Sequence, residues 1–174
     1  MRGMVLMVVL IAMVGAMLSG CATASSEWAS FNPASATAEQ TASILARVDK
    51  DARLGASVAV AVLKPDDVAK VRSVLTDLRA YVVAKTRDSV SLLAVAKPLI
   101  AKFVADPDRQ RAYTAVVCAA LSAASCLIPE SPPGGTAATI AAYAAFGQQA
   151  MLTAFDAVLA TLPPDAPGEK GGSQ

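Results

Sequence analysis

The 174-residue chain contains no histidine and few aromatic residues, and these two deficits narrow the functional classes open to it. Histidine is the usual general base and a common metal ligand, so the chain lacks the ordinary means for both roles. It also has no Ser-x-x-Lys motif, no phosphate-binding loop and no acidic calcium loop. We therefore predict no catalytic residue, no metal site, no cofactor and no enzymatic activity. A hydrolase using only carboxylates is the enzymatic alternative left open, because paired acids can be distant in sequence.

Three short segments are weak matches to functional motifs. Residues 55–59 resemble a nucleophile elbow, but its final glycine is missing. Gly134-Gly135-Thr136 could bind an anion at a helix start, but we favour its interpretation as a loop followed by an N-cap. Asp66-Asp67 could be an acid–base site, but we interpret it as a pair of acids that favour the first turn of a helix. We interpret all three as structural.

Charge is balanced along the chain. The sequence has 15 lysines and arginines against 14 acids, and removal of residues 1–20, which include Arg2, leaves 14 of each. This balance indicates neither a nucleic-acid partner nor attraction to acidic lipid. Since alanine is abundant and aromatic residues are scarce, we predict a core built mainly from Ala, Val and Leu.

The N-terminus has the pattern of an export signal. One positive charge, Arg2, precedes an apolar run over residues 4–18 that is interrupted only by Gly15. This run is too short for a membrane-spanning helix and has the length of a signal-peptide core. It ends in Leu18-Ser19-Gly20-Cys21, which resembles the lipobox of bacterial lipoproteins. The alternative is an ordinary secreted protein with a chance cysteine.

The lipoprotein resemblance implies that the signal peptide is cleaved before Cys21, which becomes the new N-terminus. Its sulfur would carry a diacylglycerol and its amino group a further acyl chain such as palmitate; several chains anchor firmly where one does not. Ala22 stands where an aspartate would signal retention in the inner membrane. We therefore expect an anchor in the periplasmic face of the outer membrane.

Composition divides the chain into four parts: a signal peptide at 1–20, a lipidated N-terminus and tether at 21–36, a helical domain at 37–162 and a disordered tail at 163–174. Trp28 and Phe31 are exceptional in the polar tether. They could lie at the lipid interface, but we expect them to fold back onto the domain.

The domain is predicted to be an all-α bundle of four to five helices. Thr37 and Gln40 form a capping box before the first helix, whose apolar positions recur at helical spacing: Ile44, Leu45, Val48, Ala52, Ala56, Ala59 and Leu63. We reject a strand at residues 57–63, since there is no second strand to pair with it. The second helix starts near Pro65 and has the most regular stripe in the chain: Val68, Val71, Leu75, Leu78 and Val82.

The remaining helices are more apolar. Residues 90–104 are apolar on nearly every side, which predicts a central helix that Pro98 kinks or divides. Asp106-Pro107 starts the next helix, which is expected to end near Leu127. Thr136 caps the last one, whose predicted buried side is Ile140, Tyr143, Gly147, Met151, Ala154, Phe155, Val158 and Leu162. A membrane hairpin of the last two helices is an alternative that we disfavour, because their small and polar residues supply little transfer energy.

Cys118 and Cys126 allow three interpretations. Export favours oxidation, but eight residues of continuous helix would separate the two by about 12 Å, whereas bridged Cα atoms lie within about 7 Å. They are therefore either free buried thiols, which we favour, or a disulfide across a helix break near residues 122–125, or partners in an intermolecular disulfide.

These features predict a non-catalytic role in the cell envelope, in which a helix face or groove binds a protein partner or assists assembly or maintenance. One alternative is a phage- or plasmid-encoded lipoprotein that acts in lysis or exclusion. Another is a carrier with an apolar cavity for a small ligand among the helices.

Overall fold

The computed structural model describes residues 31–61, 63–85, 89–125 and 134–164, and these residues form five helices without a strand. The helices are α1 (Ala38–Val60), α2 (Pro65–Lys85), α3 (Ser89–Phe103), α4 (Pro107–Ser125) and α5 (Ala137–Thr161). The predicted all-α bundle is therefore confirmed. Residues 57–60, considered above as a strand, belong to the end of α1.

Local capping groups start three of the helices as the sequence predicts. The capping box of α1 is complete, with the Thr37 hydroxyl accepting from the Gln40 amide at 3.2 Å and the Gln40 side chain accepting from the Thr37 amide at 2.8 Å. Asp106 accepts from the Asp108 amide at 2.9 Å before α4. The Thr136 hydroxyl accepts from the Thr139 amide before α5. Each cap satisfies an amide that the helix cannot satisfy itself.

The predicted stripes of α1 and α2 form part of the core, to which the other three helices also contribute buried residues. Every stripe residue of α2 is buried, and the stripe of α1 is buried except at Leu45 and Leu63, which pack against the core while partly exposed. On α5, burial begins only at Phe146. The prediction for Ile140 is wrong, because this residue is 49% exposed in the first turn of α5, near the end of the bundle.

Helix α5 packs on three other helices, α1, α2 and α4. Helix α3 packs on α4 and α2 at the side of the bundle, and its Lys97, Pro98 and Lys102 are exposed. The prediction of a central α3 is therefore wrong, because the apolar composition of this helix does not show which of its faces is buried. Pro98 lies within one helix rather than dividing it.

Polar contacts between α2 and the C-terminal part of the domain show the relative direction of α2 and α5. Arg72 donates to the Pro163 carbonyl at 2.7 Å, Arg79 to Asp156 at 2.5 Å, and Gln148 to the Val82 carbonyl at 3.0 Å. Successive residues of α2 thus meet earlier residues of α5, so the two helices are antiparallel.

Two ends of the bundle can be named from these directions. The Asp67 end holds the starts of α2 and α4 with the end of α5. The Phe31 end holds the starts of α1 and α5. At that end the Phe31 ring packs on Phe146, with ring centroids 4.9 Å apart, which confirms the predicted return of this aromatic residue to the domain. Trp28 lies outside the described residues.

A close approach of α1 and α4 depends on Gly55. A Cβ atom at this position would lie 3.3 Å from the Cβ of Ala119, tighter than an ordinary van der Waals contact. The glycine thus serves helix packing. Within the described ranges, no helix is both long and apolar enough to cross a membrane.

Leu78 provides the test of this packing. It is fully buried on α2, so Leu78→Ala should lower the free energy of unfolding by about 2–5 kcal/mol through lost burial and the cavity left behind. Leu78→Asp should abolish folding, because it buries an unpaired charge. Urea denaturation followed by helical circular dichroism measures both. Val83→Ala, at an exposed site on the same helix, is the control and should change stability by no more than about 0.5 kcal/mol. Equal effects at the two positions would contradict the register of α2.

Candidate functional site

The residues of the predicted lipidation site, Leu18, Ser19, Gly20 and Cys21, lie outside the described part of the chain, as does Cys126. Lipidation therefore stays a prediction. Two features of the described residues have enough chemical definition to be considered as sites: a buried carboxylate at the Asp67 end and an exposed apolar face of α1.

Asp67 is the buried carboxylate. It occupies the first turn of α2 and is only 2% exposed. Arg109 of α4 donates to it through Nε at 3.0 Å and through Nη2, and the Tyr113 hydroxyl donates to Oδ1 at 2.9 Å. Arg109 and Tyr113 stand four residues apart on one face of α4, which lets both reach the same carboxylate.

The surroundings of this cluster indicate a structural role. All three donors come from the protein itself, and the start of α2 further favours a negative charge at Asp67. Burial raises the pKa of the Tyr113 phenol, and the positive charge of Arg109 partly opposes this rise. The Tyr113 hydroxyl therefore stays protonated and remains a donor at neutral pH. The cluster joins the starts of α2 and α4, and the Asp67 carboxylate accepts its hydrogen bonds from Arg109 and Tyr113 of the same chain.

Sequence reasoning recognised Asp66-Asp67 only as first-turn acids and did not identify Arg109 or Tyr113. One signal was present: Asp67 shares the helical register of Val71, so an acid lies on the buried side of α2. The distant partners had no comparable signal.

Cys118 lies half-buried on α4 and makes no disulfide within the described residues. Burial raises the pKa of its thiol above the ordinary value, and the positive charge of Lys97 opposes this shift. A thiol of raised pKa is a poor nucleophile at neutral pH. Helix α4 is continuous through residues 122–125, the place where an intramolecular disulfide would need a break. Pairing with Cys126 stays untested.

The outer face of α1 is the second feature. A shallow, open depression is lined by Ala46, Arg47, Lys50 and Asp51. The next turns of the same face expose Leu54, at 65%, and Val58. Two exposed apolar side chains four residues apart form one patch, and charged residues border it. Sequence reasoning predicted the buried stripe of α1 and did not single out Leu54 and Val58 on the opposite face.

The remaining motif matches have structural explanations. Gly134 has a φ of 81°, which suits glycine in a turn, and the Thr136 hydroxyl is occupied by the Thr139 amide. Among the described residues, no group of acids and cysteines could hold a metal ion. Comparison with protein-family models, curated proteins and solved structures gives no significant match, so function has to be argued from these features and the sequence.

Asp67 allows a matched test of the cluster. Tyr113→Phe should lower the free energy of unfolding by about 1.5–3 kcal/mol, the value of a hydrogen bond to a charged group. Asp67→Asn should cost at least as much, because it weakens the bonds from Arg109 as well. The control is Asp66→Asn at the exposed neighbouring position, which should stay within about 0.5 kcal/mol. Equal costs for Asp66→Asn and Asp67→Asn in urea denaturation would show that the cluster contributes nothing specific.

The cysteines are tested by mass spectrometry of the purified protein, denatured and alkylated without reductant. We expect Cys118 and Cys126 to take up one alkyl group each, because a continuous helix would hold them too far apart to pair. A reduced and alkylated sample is the control. No uptake at monomeric mass would indicate an intramolecular disulfide and a helix break, and a doubled mass would indicate one between chains.

Proposed function

We propose that this protein is a lipid-anchored envelope protein, attached through Cys21 to the periplasmic face of the outer membrane, and that its helical bundle binds a protein partner without catalysis. Assembly or maintenance of the envelope is the process such a tethered binding domain would serve.

The observation that carries this proposal is the order Leu18-Ser19-Gly20-Cys21 at the end of a short apolar run. An aliphatic residue, two small residues and a cysteine are what lipoprotein processing requires. The 15 residues from Ala22 to Ala36 then lead into α1 and have no apolar periodicity. An anchor followed by a tether and a bundle is the organisation expected of a domain held near a membrane.

Several polar side chains of the bundle are paired with other groups of the same chain, and this pairing supports a non-catalytic role. Asp67 is engaged by Arg109 and Tyr113, and Arg79 binds Asp156 across α2 and α5. Arg72 donates to carbonyl groups at the end of α5, where a positive charge is favourable. These side chains stabilise the arrangement of the helices.

The outer face of α1 supports the binding role. Leu54 and Val58 are exposed beside Lys50 and Asp51. An apolar centre with a polar border is the usual composition of a protein interface. We therefore assign the partner contact to this face.

Lipidation is tested with Cys21→Ser. Expression in a bacterial host with a fatty-acid analogue should label the wild-type protein and not the variant, which should accumulate as uncleaved precursor or soluble protein. Cys118→Ser, which leaves the lipobox intact, is the control and should keep both label and membrane attachment. An unlabelled wild-type protein would refute the lipoprotein assignment.

The partner face is tested by photo-crosslinking in intact envelopes. A photoreactive amino acid at position 54 should give one discrete adduct, because the side chain there projects from the proposed contact. The same amino acid at the exposed Lys70 of α2 is the control and should give none. Adding Val58→Asp should remove the adduct by placing a charge in the contact. An adduct insensitive to Val58→Asp, or equal at both positions, would contradict this assignment.

A further inference from the structure

The outer face of α1 has a depression and a projecting side chain next to each other. The depression is lined by Ala46, Arg47, Lys50 and Asp51. Residues four apart form ridges along a helix. The ridge that contains Lys50 continues through Leu54, which is 65% exposed, to Val58. Arg47 and Asp51 belong to the next ridge, so the depression lies in the groove between the two ridges.

A face with one ridge and one groove of this kind fits a second copy of itself. Two helices commonly pack with the ridge of each in the groove of the other. The centre of the depression lies about 5.5 residues before Leu54, which is about 8 Å along the helix axis. A twofold axis perpendicular to the face and halfway between these points passes near Asp51. It places Leu54 of each copy in the depression of the other, which is the self-complementarity that a twofold interface requires.

The charges on this face favour the same arrangement. The axis makes the two helices run in opposite directions, so Lys50 of one copy lies beside Asp51 of the other. Parallel pairing in register would instead bring each charge against its own kind. Asp49 and Arg53 of the neighbouring turn are paired with each other at 2.7 Å, and no ion pair among the described residues includes Lys50 or Asp51. Both charges can therefore be used between copies.

The size of the contact sets its strength. One pair of crossing helices lies at the low end of specific interfaces, below about 1,200 Å² in total, so we expect a weak, reversible pair. Anchoring of both copies in one lipid surface, as proposed above, would raise their effective concentration. Covalent capture in the envelope suits such a pair better than a method that needs a persistent dimer.

We propose that the occupant of the α1 face is a second copy of this chain, paired about a twofold axis near Asp51 with each Leu54 in the depression of the other copy. This inference rests on the proposed binding role of the α1 face and names the partner. It makes Lys50 and Asp51 the residues that set the direction of pairing.

The test is photo-crosslinking of the full chain, expressed in a bacterial host that contains no other protein of its natural cell. A photoreactive amino acid at position 54 should give an adduct of twice the chain mass. Lys50→Glu alone, or Asp51→Lys alone, should lower its yield about tenfold or more, because each places like charges opposite each other. Lys70→Glu, at an exposed site on α2, is the matched control and should leave the yield unchanged.

Co-expression of the two variants with different tags is the decisive measurement. The acids of one variant then face the lysines of the other, so an adduct that carries both tags should return to the wild-type yield. This recovery also shows that both variants fold. A second set with the photoreactive amino acid at position 58 makes the result independent of replacing Leu54.

The outcomes separate this inference from the proposed binding role. An adduct of twice the chain mass that survives both single substitutions, or that does not return on co-expression, overturns the pairing near Asp51. An adduct of any other mass, in this host or in envelopes of the natural cell, without one of twice the chain mass overturns the second copy and keeps the α1 face as the partner contact. No adduct in either cell overturns both.

Discussion

Close approach of helices through alanine is the constraint on which the structure depends. The buried faces where α1, α4 and α5 meet are rich in this residue: Ala52, Ala56, Ala59, Ala119, Ala120, Ala123, Ala124, Ala150, Ala154 and Ala157. An alanine buries little apolar area, so such a core is effective only when the helix axes are near the short end of the usual 8–10 Å range. Gly55 illustrates such an approach, because a Cβ atom there would lie 3.3 Å from the Cβ of Ala119. A larger side chain there would separate the helices and weaken many neighbouring contacts together.

The position of α2 is fixed differently. Its stripe consists of valine and leucine, which fill space well but tolerate small shifts along a smooth partner. Polar contacts at both edges of the helix oppose such shifts: Asp67 with Arg109 and Tyr113 on one side, and Arg72, Arg79 and Gln148 against α5 on the other. The Arg79–Asp156 pair is exposed and contributes at most about 1 kcal/mol. The buried Asp67 cluster contributes more because its carboxylate has lost water and must keep all its donors.

Local physics explains what the sequence could predict. Caps at Thr37, Asp106 and Thr136 depend on neighbouring residues, and the stripes of α1 and α2 depend on a period of 3.6, so both were predictable. The position of α3 was predicted wrongly because a helix that is apolar on nearly every side does not show which face is buried. Burial of Ile140 was predicted wrongly because an apolar stripe does not show where the neighbouring helix ends. The partners of Asp67 lie 42 and 46 residues away, and no local pattern links them. The face of α1 with Leu54 was missed for the opposite reason: exposed residues are free of the packing that creates a pattern.

The proposed contact on α1 combines apolar and charged side chains, and this combination indicates the kind of partner that it fits. Leu54 and Val58 have Lys50 and Asp51 beside them, which suits a protein surface that can offer complementary charges. Leu54 stands about 24 Å along α1 from the start of the helix at the Phe31 end. A lipid anchor at Cys21, as proposed, would attach the domain at the Phe31 end, so the α1 face lies away from the attachment point, where a periplasmic partner could reach it.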